Sequence, residues 1–178
     1  MAAPIYSQIE ADAVLALPKR IEHAAWEKRK TGRPTDYETS VTVAAIPEIN
    51  GDGIEFCIEI RTNELTEDIS VILTMRIGKR PLEGLCRYDI HDSDHDNPRW
   101  FTPATIAAGE FHSHLYSERS VQEFDRWDKC ASPLDLSPHG SPAQLRQRLW
   151  GRFLDDMRIK FSDSETFDGL FGSAGKTP

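Results

Sequence analysis

Near the middle of the chain, four residues with catalytic side chains fall on every second position: Glu110, His112, His114 and Tyr116. In an extended strand, successive side chains point to opposite faces, so this spacing places two imidazoles, a carboxylate and a phenol on one face. Phe111, Ser113 and Leu115 take the other parity, which reads as the core side. About 20 residues earlier, Arg87 and Asp89 share a face in the same way, and His91 continues their register. His95 and Asp96 follow in the connection between the two segments. If the two strands pair with these faces matched, one patch holds all of these groups.

Two chemistries fit that set. In the first, no metal is needed. His112 and His114, with imidazole pKa values near neutrality, act as general base and general acid, and Arg87 stabilises the charge on a phosphate. That is a ribonuclease-like reaction using the RNA 2′-hydroxyl, with Asp89, His95, Glu110 and Tyr116 positioning the reacting groups. In the second, the His112-x-His114 pair chelates one divalent transition metal, and His91, His95 or a carboxylate completes the shell. Such an ion activates water. The nearby run Asp92, Asp94, Asp96 has the spacing of a calcium loop, but its sixth position is Asn97 and its twelfth is Pro103. A calcium loop needs glycine and glutamate there, so the run reads as a solvated rim.

The elements that must position these groups are read from periodicity. Ser7 and Glu10 have the spacing of a helix capping box, and Ile9, Ala13 and Leu17 recur at a helical interval up to Pro18. Lys19 and Arg20 then sit where positive charge favours a helix C-terminus. The basic stretch Trp26 to Pro34 reads as a loop. Alternation marks strands at Val41 to Ala45, Ile54 to Ile60 and Val71 to Ile77, with turns at Asn50 to Gly53, Asn63 to Asp68 and Gly78 to Pro81. Leu82 to Asp89 and Gly109 to Tyr116 are the fourth and fifth strands, separated by a long polar loop, His91 to Ala108. Ser141-Pro142 opens a helix whose stripe is Leu145, Leu149, Phe153 and Met157. Arg158 to Phe161 returns to the sheet. The expected fold is therefore α+β: an antiparallel sheet of about five strands with an N-terminal and a C-terminal helix packed on one face. Residues 1–161 form one domain in this reading, and 162–178 a flexible tail in which Phe167, Leu170 and Phe171 are able to dock.

Composition bounds the function. The chain has 178 residues, 39% hydrophobic and 28% charged, with a net charge of −8. That balance argues against generic DNA binding and for a partner that is itself basic. No apolar run approaches the length of about 20 residues needed to span a membrane, and the N-terminus lacks a signal-peptide pattern, so a cytoplasmic location is expected. Cys57, Cys86 and Cys130 are too few and too scattered for a disulfide framework or a CxxC zinc site, and read as reduced, mostly buried thiols.

Several of these residues also form an ordered pattern. Arg87-Tyr88-Asp89, His95-Asp96-Asn97-Pro98, His112-Ser113-His114-Leu115-Tyr116-Ser117-Glu118, Trp127 and Pro133-Leu134 together resemble DUF6978, an uncharacterised bacterial and prophage family. The family reads R-x-D, H-x-N-P, H-x-H-x-Y-x-E, W and P-L in that order. The stretch Ala11 to Arg20 resembles its opening helix, and the likeness extends to about Phe161. The chain differs in having His91-Asp92-Ser93-Asp94 where the family has a glycine-rich turn, and in its Trp100-Phe101-Thr102-Pro103 segment. The central R-x-D, H and H-x-H residues are also similar to TumE-type toxins of toxin–antitoxin pairs. The resemblance implies a mobile-element protein with a toxin-like ribonuclease site, acting on RNA or held by an antitoxin. A different class of function is also open: a non-catalytic acidic inhibitor of phage or plasmid origin that occupies a basic site on a host defence protein.

Overall fold

Unbroken alternation builds the middle of the sheet. The computed structural model describes residues 3–21, 27–30, 36–45, 53–63, 69–91 and 93–161. Its four central strands are β3 (Asp36–Ala45), β4 (Ile54–Asn63), β5 (Ile69–Ile77) and β6 (Glu83–Ile90), each antiparallel to the next. Phe56, Ile58 and Ile60 on β4, with Val71, Leu73 and Met75 on β5, are buried in one cluster with Cys86, Tyr88 and Ile90 of β6. The polar residues between them face the other way, as strands buried on one face require. Beyond β6 lies β9 (His112–Leu115), the fifth of the expected strands, again antiparallel.

Two helices cover the apolar face. The N-terminal helix α1 (Gln8–Leu15) starts at the predicted capping box, with Ser7 and Glu10 each satisfying the other's backbone amide. The C-terminal helix α3 (Pro142–Asp156) has Ser141 as its cap and Pro142 in its first turn, and its predicted stripe, Leu145, Leu149, Phe153 and Met157, is buried. The expected α+β architecture, five antiparallel strands with a helix at each end of the chain, is therefore present. Short strands extend it: β1 (Lys19–Ile21), β2 (Glu27–Lys30), β10 (Ser132–Pro133) and β11 (Ile159–Phe161). Strand β11 runs parallel to β1, so the chain does return to the sheet after α3.

Lys19 ties the two helix ends together. Its buried ammonium donates to the carbonyls of Leu15 (3.0 Å), Leu17 (2.9 Å) and Met157 (3.1 Å). Those carbonyls lie at the C-termini of α1 and α3, where the helix dipole favours a cation.

Several expectations need correction. The segment read as a basic loop contains β2, which pairs with β3; its Glu-Lys-Arg-Lys sequence gives no alternation to read. The loop His91 to Ala108 contains a two-strand hairpin, β7 (His95–Asp96) against β8 (Thr105–Ile106). A short helix, α2 (Glu118–Phe124), follows β9 with Ser117 as its cap. On α1 the buried residues are Ala11 and Val14, whereas Ile9 is 82% exposed. Asn50 to Asp52, most of the Asn63 to Asp68 connection, Asp92 and the tail 162–178 lie outside the described residues. Among the described residues, no helix is long and apolar enough to cross a membrane. Cys86 and Cys130 are buried and Cys57 is half-buried, and none of the three is in a disulfide.

Candidate metal centre

The face opposite the helices carries the polar constellation. In the β6–β9 ladder, Arg87 stands opposite His114 and Asp89 opposite His112. The strands therefore pair with the two candidate faces matched. On the other side of β6, β5 places Ser70 opposite Asp89 and Ile72 opposite Arg87, which closes the patch on that flank.

His95 reaches this patch from above, on the β7–β8 hairpin. Asn97 anchors the hairpin: its Nδ2 donates to the carbonyls of Pro103 and Ala131, both at 2.8 Å, and its Oδ1 accepts from the Ala131 amide at 2.6 Å. Asp96 accepts from the Thr105 hydroxyl at 3.0 Å and Asp94 from the Ala108 amide at 2.9 Å. These acids brace the hairpin from its solvent side, consistent with a rim. The result puts the His95 ring 5.6 Å from His112 and 4.8 Å from His114, centroid to centroid, with His112 and His114 5.2 Å apart. One ring nitrogen from each of the three lies within 4.8 Å of the other two.

Three of the six ring nitrogens are engaged by the protein. His112 Nδ1 contacts the Glu110 carbonyl at 3.0 Å, and His95 Nε2 the Lys129 carbonyl at 3.4 Å. His114 Nε2 lies 3.1 Å from Asp89 Oδ2. Of the three nitrogens left, His112 Nε2 and His114 Nδ1 are buried and have no hydrogen-bond partner among the described residues. Asp89 Oδ1 is a third such atom in the same cluster, whereas buried polar atoms are nearly always satisfied, by protein, water or an ion. Burial holds all three imidazoles below the usual histidine pKa; the carbonyl contacts and Asp89 pull the other way without overcoming it. They are thus neutral near pH 7, the form that ligates metals.

A chain of ion pairs supports the floor. Asp89, fully buried, accepts from Arg87 Nε at 2.5 Å, and Arg87 Nη1 donates to Asp128 at 2.5 Å. Asp128 is also gripped by Arg126 through two contacts of 3.1 Å. Burial alone would raise the Asp89 carboxyl; the contact with His114 and the field of Arg87 outweigh it and hold the group well below the usual carboxylate range. Asp128 behaves alike, with Arg126 and Arg87 outweighing its burial. Trp127 positions this loop by lying directly on Gly84 of β6, where a Cβ would fall 1.8 Å from the indole.

The structure thus gathers Arg87, Asp89, His95, His112 and His114. His91 stands at the edge, half-buried, with Nε2 3.7 Å from Asp89 Oδ1. Two predicted members lie elsewhere. Tyr116 belongs to the core: β9 ends at Leu115, the Tyr116 amide bonds to the Leu85 carbonyl, and its hydroxyl donates to the Tyr6 carbonyl at 2.5 Å. Burial pushes that phenol up to about 12. Leu115, placed on the core side by parity, is instead 47% exposed. Glu110 is exposed before the strand begins, and its carboxylate accepts from the Ala107 amide at 3.3 Å; only its carbonyl serves the site. Sequence reading missed Asp128, which reaches Arg87 across 41 residues of chain, and Arg126, which grips Asp128; their adjacency to Trp127 was the available signal.

Comparison of the chain with protein-family models, with curated proteins and with solved structures gave no match.

Proposed function

We propose that His95, His112 and His114 hold one divalent transition-metal ion and that the protein is a metal-dependent hydrolase. The observation that carries this reading is the pair of buried, unpartnered nitrogens, His112 Nε2 and His114 Nδ1, beside a third imidazole. An all-nitrogen set suits zinc and its neighbours and is poor for magnesium or calcium. Structural zinc sites close with four protein ligands, whereas three protein ligands with a position left for water is the catalytic pattern. Such an ion supplies Lewis acidity and an acidified water near neutral pH. Zinc–nitrogen bonds of about 2.0–2.1 Å set tetrahedral ligand nitrogens about 3.3 Å apart. The three ring nitrogens lie within 4.8 Å of one another, so ligation would draw them together by up to about 1.5 Å.

The metal-independent ribonuclease reading is favoured less by the same geometry. His112 and His114 are 2% and 0% exposed, so neither reaches a scissile phosphate directly. Arg87, the phosphate ligand in that reading, donates to two carboxylates. The resemblance to DUF6978 and to TumE-type toxins converges on Arg87, Asp89, His95, His112 and His114 and supports the place more than the reaction.

The test is a hydrolysis panel of RNA, phosphodiesters, carboxylic esters and amides, run on metal-free protein with and without Zn²⁺ or Co²⁺. Turnover that needs added metal and is lost in His95→Ala, His112→Ala and His114→Ala supports the proposal. RNA cleavage that persists in EDTA and ignores His95→Ala overturns it in favour of the ribonuclease. A stoichiometric host-protein complex that survives loss of all three histidines, with no turnover, overturns it in favour of the acidic inhibitor.

A further inference from the structure

One nitrogen of His114 has two competing neighbours. Nε2 lies 3.1 Å from Asp89 Oδ2 and 3.0 Å from Arg87 Nη2. A neutral imidazole carries a single N–H, so the contacts exclude each other. Either Nε2–H donates to Asp89, or a bare Nε2 accepts from Arg87. The choice decides the far side of the ring. In the first state Nδ1 is a lone pair; in the second it carries the proton.

The surroundings favour the first state. Nδ1 is buried without a partner among the described residues, so a proton there has nowhere to go, whereas a lone pair there is able to bind a metal. The guanidinium does not need the imidazole, because Asp89 and Asp128 already accept from it at 2.5 Å each. A charged carboxylate is also a stronger acceptor for an N–H than a neutral partner.

We propose that Asp89 is a positioning residue: Oδ2 accepts the Nε2–H of His114 and thereby holds the ring in the tautomer whose Nδ1 ligates metal. Arg87 holds Asp89 in place, and Asp128, gripped by Arg126, holds Arg87. The four residues form an outer support running from the surface at Arg126 to a buried ligand. His112 obtains the same service from a backbone carbonyl, that of Glu110. This inference rests on the metal-centre reading, and its test separates the two.

Long-range ¹H–¹⁵N correlation spectra of the metal-free protein read the tautomer of each ring, with His114 assigned by comparison with His114→Ala. The expected result is Nε2–H; an Nδ1–H tautomer overturns the inference whether or not metal binds. Asp89→Asn keeps the side-chain shape and removes the charge. Its expected effect is a loss of about 10- to 100-fold in Co²⁺ affinity, the range for outer-support changes, with a shifted visible spectrum of the bound ion. Asp89→Asn with unchanged tautomer, affinity and spectrum overturns the proposal. If that variant fails to fold, the tautomer in the unaltered chain still decides. A natural chain that binds no Co²⁺ defeats the metal centre itself, which the tautomer spectrum distinguishes from failure of the Asp89 role.

Discussion

Replacing Arg87 with methionine tests the ion-pair floor of the site. Asp89 is fully buried, and its Oδ2 accepts from Arg87 at 2.5 Å, so the substitution leaves a carboxylate in the interior without its cation. Removing one partner of a buried pair costs about 3–5 kcal/mol, because the remaining charge stays desolvated. Asp128 adds little to that cost, since Arg126 continues to hold it through two contacts. For a chain of this size, each kcal/mol moves the melting temperature by about 2–4 °C, so Arg87→Met should melt roughly 6–20 °C lower. Urea unfolding of metal-free protein at pH 7 provides the free energy. The double variant Arg87→Met/Asp89→Leu removes both charges and should recover part of the loss, since the unpaired carboxylate is gone while the His114 N–H loses its acceptor. A loss under about 1 kcal/mol for Arg87→Met, or a double variant as unstable as the sum of the single ones, would show that Arg87 and Asp89 are not a coupled buried pair.

Three further outcomes follow from the packing. Gly84→Ala forces the indole of Trp127 off β6, because the new Cβ would fall 1.8 Å from it; a loss of about 1–3 kcal/mol is expected, with weaker metal binding as Asp128 moves. Loading with Zn²⁺ at about 100 times the dissociation constant should add about 2.7 kcal/mol of stability, and hydrogen exchange should slow in the His95-bearing hairpin. Lys19 gives the pH dependence. Burial pushes its ammonium down to about 8, whereas an unfolded lysine titrates near 10.5. The fold therefore disfavours the charged form, and stability relative to Lys19→Met should rise between about pH 8 and 10.5, by at most about 3 kcal/mol. A flat difference between the two proteins over that window, measured by urea unfolding, contradicts this account of Lys19.

What could be read without the structure follows the range of the interactions involved. Period-two alternation is local, and it located the central strands and put Arg87 and Asp89, and likewise His112 and His114, on common faces. The helix α3 was legible for the same reason, from Ser141-Pro142 and a four-residue stripe. The strand β2 was not, because Glu27 to Lys30 has no apolar alternation. Tyr116 was misplaced because parity holds only while a strand lasts, and β9 stops at Leu115. The arrival of His95 over the sheet depends on Asn97 reaching Ala131, and the engagement of Arg87 by Asp128 spans 41 residues. Neither contact leaves a periodic trace, so the sequence placed His95 near the site without revealing that it, rather than His91, joins the histidine pair.

Elemental analysis decides whether His95, His112 and His114 hold a metal. Protein made without a histidine tag is stripped, reloaded with Zn²⁺ or Co²⁺, passed through a desalting column and analysed for metal per chain. One transition-metal ion per chain is expected, lost when His112 and His114 are both replaced by alanine and retained when the surface residue His139 is replaced. No retained metal after loading, or the same stoichiometry in the double-alanine chain, contradicts it.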